Sequence, residues 1–254
     1  MNKAWSELNK TMQSQIKKKD TFNDSIRTLF LLRNELMDTL TSVRTTADRA
    51  DFNAMPFVNA NGYHSKTIAY SIWHIFRIED IVAHTLINSD EQVFFKENYQ
   101  KRIGSSIITT GNELVKNEIA KFSEQLNIDE LYSYISEVKA STESIIRSLT
   151  FSDMKSSVPA ARKEHLKALN VVSSDESASW LTDYWCGKGH SRTDTDAILK
   201  ALDNAYRSEL KDIEQTQIKI PGHLSGDSFI QNTAIHYRFR YRCRQKPSSC
   251  NRTP

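Results

Sequence analysis

Apolar residues recur at intervals of three and four along most of the chain, and alternation of the kind that marks a strand is absent before the last thirty residues. The pattern predicts an all-α protein. A short amphipathic start carries Trp5, Leu8, Met12 and Ile16. Thr21 to Asp24 has the form of a capping box. Behind it Phe22, Ile26, Leu29, Phe30, Leu36, Met37, Leu40 and Val43 make one stripe along a helix of about six turns.

Asn59 to Gly62 marks a loop, and Ser65 is placed to cap a second long helix reaching about Asn88. Ile68, Ile72, Trp73, Ile75, Phe76, Ile78, Ile81, Val82 and Leu86 wrap most of its circumference, so this helix should be central. Thr110 and Glu113 suggest another capping box, opening a shorter helix with Leu114, Val115, Ile119 and Phe122. From Asp129 a third long helix follows, with Leu131, Tyr134, Ile135, Val138, Thr142, Ile145, Ile146 and Leu149 in unbroken register. Short helical pieces follow Pro159, among them SASWLTDYW. With a fourth helix expected near the C-terminus, the natural architecture is an antiparallel four-helix bundle with extra short helices.

The composition agrees with this pattern. The chain has 254 residues with 39% hydrophobic and 26% charged, but only 7 Gly and 5 Pro, which argues against collagen-like or largely disordered classes. No apolar run approaches the roughly 18 residues of a membrane span, and the first twenty residues lack a secretory pattern, so a cytoplasmic protein is expected. The three cysteines, Cys186, Cys243 and Cys250, form no CxxC pair and build no disulfide framework. The net charge of +3 is an end effect. Residues from Gly189 onward carry 11 basic and 7 acidic side chains, which leaves 23 and 24 to residues 1–188, a net charge of −1.

Candidate chemistry is sparse. SIWHIFRIED places His74 in the middle of the most apolar helix and Glu79 on the stripe of Ile72, Ile75, Phe76 and Val82. Burying either without a partner is costly. On residues alone, His74 reads first as a satisfied core group and second as a metal ligand. Glu79 reads as a hydrogen-bonded or partly exposed carboxylate, or as a group that orients a ligand. His64, His84, His165, His190, His223 and His236 read as solvated. Nucleophile elbow, Walker loop, GxGxxG turn and HExxH pair are all absent.

The segments TIAYSIWHIFRIED, TTGNELVKNEIAKFSEQLNIDELYSYISEVKASTESIIRSLT and WLTDYWCGK resemble, in order and spacing, the DinB-like family of bacterial four-helix-bundle proteins. The likeness runs from about Trp5 to Lys188. It implies a divalent metal, of zinc or nickel type, held at one end of the bundle by three histidines. One comes from the second long helix, here His74, and two from an HxxxH pair on the last. It further implies a metal-dependent transferase or hydrolase, with a thiol or another small molecule as substrate, and it is compatible with a homodimer. The alternatives are a non-catalytic bundle that binds a small molecule or another chain, and an inactive gene product.

The chain departs from the family where the HxxxH pair belongs. Relatives continue into a run like LLLMPxTRHxxxHLNE, whereas this chain reads GHSRTDTDAILKALDNAYRSELKD, in which no two histidines stand four apart. Codons straddling neighbouring residues from Gly189 to Tyr206 allow DIAGLILMPSSRHxxxH in a frame shifted by one base. The expectation is that the chain from about Gly189 is an out-of-frame translation. Resequencing the coding DNA across Lys188 and Gly189 tests this, and an uninterrupted frame with the protein found at this length would refute it. The competing reading is a genuine fourth helix without ligands, built on Ile198, Leu199, Leu202, Tyr206, Leu210 and Ile213. The expected division is a bundle over residues 3–215 and an atypical, poorly ordered basic tail over 216–254. Interleaved Arg and aromatic residues in HYRFRYRCRQKP have the composition of a nucleic-acid contact, but a shifted frame removes any selection for one, and none is expected.

Overall fold

The computed structural model describes residues 3–54, 66–155 and 158–168, all of them helical, turn or irregular, with no strand among them. The expected fourth helix, the 189–215 segment and the basic tail lie outside the described residues. So do His64, His190, His223, His236 and the three cysteines.

Helix α1 (Lys3–Gln15) and helix α2 (Phe22–Thr46) form an antiparallel pair. Trp5 Nε1 donates to the Leu32 carbonyl at 3.5 Å, and at the other end Thr28 Oγ1 donates to Gln15 Oε1 at 2.8 Å. Trp5, Met12 and Ile16 are buried, as their spacing requires. The capping box at Thr21 does not form. The Thr21 hydroxyl donates instead to the Gln15 carbonyl at 2.7 Å, so it closes the turn out of α1 and leaves α2 without a side-chain cap. A real capping box occurs at Asp48 and Asp51, on the short helix α3 (Arg49–Asn53).

Helix α4 (Ile68–Asp80) is buried along its whole length and forms the centre of the core. Its cap is Thr67, whose side-chain oxygen accepts the Tyr70 N–H at 3.0 Å; Ser65 lies outside the described residues. The second long helix reaches Asn88 as expected, but Ile81–Asn88 is wound as a π-helix. Beyond it come α5 (Val93–Lys96), α6 (Tyr99–Ile103), α7 (Asn117–Gln125), α8 (Ile128–Ser148) and α9 (Ala160–Ala168). The apolar register of α8 is borne out, with Leu131, Tyr134, Ile135, Val138, Thr142, Ile145 and Ile146 all buried. Each fully buried aliphatic side chain contributes about 1.5–3 kcal/mol relative to exposure.

Helix direction departs from a simple antiparallel arrangement. Arg44 pairs with Asp129, the Tyr132 hydroxyl donates to the Leu40 carbonyl, and Arg33 reaches Glu143, so α2 and α8 run antiparallel. Tyr134 meets Phe76 and Asp80, while Ser141 meets His84, so α4 with its π extension and α8 run parallel. Parallel neighbours need a crossover. The segment from Ser89 to Asn127, which carries α5, α6 and α7, provides it.

Candidate functional site

His74 is 5% exposed, and its ring stacks on that of Tyr70, one turn earlier on α4, at 5.4 Å between centroids and 12° between planes. Its Nδ1 lies 2.5 Å from the Thr110 carbonyl. A carbonyl can only accept, so Nδ1 carries a proton. A second tie holds the same loop, since the Tyr70 hydroxyl donates to the Gly111 carbonyl at 2.8 Å. Gly111 has φ +79°, and a Cβ there would lie 2.9 Å from Trp73 Cζ3 and 3.0 Å from Tyr70 Cε2. Both the backbone conformation and the close approach to α4 require glycine.

The capping box expected at Thr110 and Glu113 is therefore not made. Thr110 supplies its carbonyl to His74, Glu113 accepts from the Thr109 hydroxyl, and the helix begins only at Asn117. The second carboxylate oxygen of Glu113 is buried without a partner among the described residues.

A divalent metal would find one suitable donor here. An imidazole whose Nδ1 is hydrogen-bonded to a carbonyl presents Nε2 in the manner of a metal-ligating histidine. Among the described residues, however, no group of three or more His, Cys, Asp or Glu side chains could hold a metal ion. Of the other histidines within the described residues, His165 is exposed on α9 and His84 is engaged elsewhere. His74 alone does not complete a site.

Glu79 is fully buried and paired with Arg33 of α2 at 2.7 Å, with the arginine 3% exposed. It joins two helices. The same arginine donates to the Lys139 carbonyl and to Glu143 on α8, so a single guanidinium links α2, α4 and α8.

Two positions earlier, on the other side of α4, Arg77 is fully buried with donors to Asp80 Oδ2 at 3.1 Å, Gln92 Oε1 at 2.9 Å and the Ile108 carbonyl at 2.7 Å. Its guanidinium carbon stands 4.1 Å from the Phe94 ring centre. Asp80 accepts from the backbone N–H groups of Val93 and Phe94, both at 2.9 Å, and from the Tyr134 hydroxyl at 2.9 Å. Burial pushes the Asp80 carboxyl above the usual aspartate range, outweighing the charge of Arg77 and the hydrogen bonds from Phe94 and Tyr134. Burial likewise raises the Tyr134 hydroxyl well above its ordinary value, so it remains a proton donor. The network ties the crossover to α4 and α8.

His84 corrects the expectation of a solvated ring. It is 3% exposed, with Nδ1 2.7 Å from Asp90 Oδ1 and Nε2 3.0 Å from Ser141 Oγ. Asp80 Oδ1 lies 3.9 Å from the same Nε2. The local backbone builds this arrangement. Ser89 adopts φ +62° and ends the π-helix, and the N–H groups of Ser89 and Asp90 both return to the His84 carbonyl. That turn folds Asp90 back onto the ring of His84, and the parallel packing of α8 brings Ser141 to the opposite nitrogen. Nothing in the spacing of the sequence signals it, because Ser141 and His84 are 57 positions apart.

The described residues also form an open cleft of about 520 Å³ where α2 ends and α8 begins, with Arg44 and Arg49 in its walls. Both arginines are committed, Arg44 to Asp129 and Arg49 to the Ser123 and Glu124 carbonyls at 3.0 and 2.8 Å. Asp48 and Asp129 in the same walls balance their charge. No helix of the described residues is long and apolar enough to cross a membrane. In comparisons with models of known protein families and with curated proteins, nothing matches this chain.

Proposed function

We propose that this chain is a DinB-like bundle in which the first metal-ligating histidine, His74, is kept and oriented. The two C-terminal ligands are lost, through a change of reading frame near Gly189. The observation that carries the reading is the 2.5 Å contact of His74 Nδ1 with the Thr110 carbonyl, the kind of orienting hydrogen bond that metal-ligating histidines make. In an intact relative the metal would serve as a Lewis acid or water activator for a transferase or hydrolase reaction, in some cases with a thiol. A tight zinc-type site takes three or four protein ligands. The sequence after Lys188 has no HxxxH pair to join His74, and on that ground metal binding is expected to be weak or absent, with little metal-dependent activity.

Elemental analysis of protein purified without an affinity tag tests the reading. The expected result is far less than one zinc or nickel per chain, with no change on His74→Ala. A stoichiometric metal that is lost on His74→Ala would overturn it.

A further inference from the structure

We propose that Ser141, His84 and Asp90 form a nucleophile, base and carboxylate relay, which makes the Ser141 hydroxyl an acceptor of acyl groups from activated esters of small carboxylic acids. The inference does not depend on His74 or on any metal. Its basis is geometry. Ser141 Oγ is 3.0 Å from His84 Nε2, and His84 Nδ1 is 2.7 Å from Asp90 Oδ1, within the range over which a serine, a histidine and an aspartate act as a unit.

Each member occupies the environment its role needs. Asp90 is 47% exposed but is held by its own N–H on the His84 carbonyl, and its carboxylate favours the ring tautomer with the proton on Nδ1. That leaves Nε2 to accept the serine proton. His84 is buried between the π-helix and α8, so the ring cannot swing away. Ser141 is partly exposed, and its only hydrogen-bond partner among the described residues is His84.

The step balances as an acyl transfer. Ser141 Oγ attacks the ester carbonyl carbon while its proton passes to His84 Nε2. The bond to the leaving alcohol breaks, and the departing oxygen takes that proton back from the imidazolium. The products are the free alcohol, acyl-Ser141 and neutral His84. Water then repeats the sequence and releases the carboxylic acid.

Ser141 sits in the interior of α8, where backbone N–H groups are spent on the helix and cannot stabilise the oxyanion. The relay therefore supplies the general-base contribution, about 10²–10⁴-fold, without an oxyanion hole. The reaction is expected to be slow, so the acylated protein is the quantity to measure.

Intact protein is treated with p-nitrophenyl acetate and, separately, with an alkyl fluorophosphonate, and the adduct is located by peptide mass spectrometry. The expected result is one modification on Ser141, absent in Ser141→Ala. In Asp90→Asn it forms about 10²-fold or more slowly, at an unchanged thermal midpoint. Alanine suits a helix interior, so Ser141→Ala retains the fold. Failure to modify Ser141, or modification at the parent rate in Asp90→Asn, would overturn the proposal.

Discussion

The Arg33–Glu79 pair places two opposite charges in the core. Both side chains are nearly or wholly excluded from water, so each charge depends on its protein partners. Removing one partner of a buried pair costs about 3–5 kcal/mol, because the other is left charged and desolvated. Glu79→Ala should therefore lower the urea midpoint, by less than that range because Glu143 and the Lys139 carbonyl still face Arg33. Arg33→Met combined with Glu79→Leu removes both charges and should recover much of the loss. Glu79 stood out in the sequence because it falls on an apolar stripe, but its partner did not. Arg33 lies on another helix, 46 positions away, and no local pattern marks it.

At the scale of elements, long amphipathic stripes were the legible part and helix starts were not. The residue types at Thr21 and Thr110 suit a cap, yet tertiary contacts take them: one hydroxyl closes α1, and one carbonyl holds His74. At α8 the cap is Asn127, whose side chain accepts the N–H groups of Asp129 and Glu130 at 3.0 and 3.2 Å. Asn127→Ala should cost about 1 kcal/mol, measurable by chemical denaturation. The π-helical winding of Ile81–Asn88 was also hidden, since its apolar content is equally suited to an α-helix. Its consequence is large, because it sets the turn that places Asp90 against His84.

Across the whole molecule, the parallel course of α4 and α8 and the antiparallel course of α2 bring charges from distant segments together. Glu143 of α8 faces Arg33 of α2 at 3.5 Å and pairs with Lys139 at 2.7 Å and Arg147 at 3.6 Å along its own helix. Burial raises its carboxyl, but the Lys139 hydrogen bond and the Arg33 charge outweigh that, so the group titrates below the ordinary glutamate value of 4.5. A depressed carboxyl stabilises the fold fully above its unfolded value and loses that contribution as pH falls through the folded one. Stability should decline from about pH 4.5 downward. Glu143→Gln should be less stable than the parent at neutral pH and show a shallower decline, as followed by thermal melts between pH 3 and 7.

The sequence by itself determined that the described chain is helical, that α4 is central and which faces of α2 and α8 are apolar. A stripe repeats every three or four residues and is contained within one helix, so periodicity suffices to read it. Only the tertiary structure decided which polar groups meet. His74 with Thr110, Glu79 with Arg33, Arg77 with Gln92 and Tyr134, and His84 with Asp90 and Ser141 all depend on helix direction, the crossover and the turn after the π-helix. Those relations arise when separate faces pack against one another and every buried donor must find an acceptor, a condition that no single segment contains.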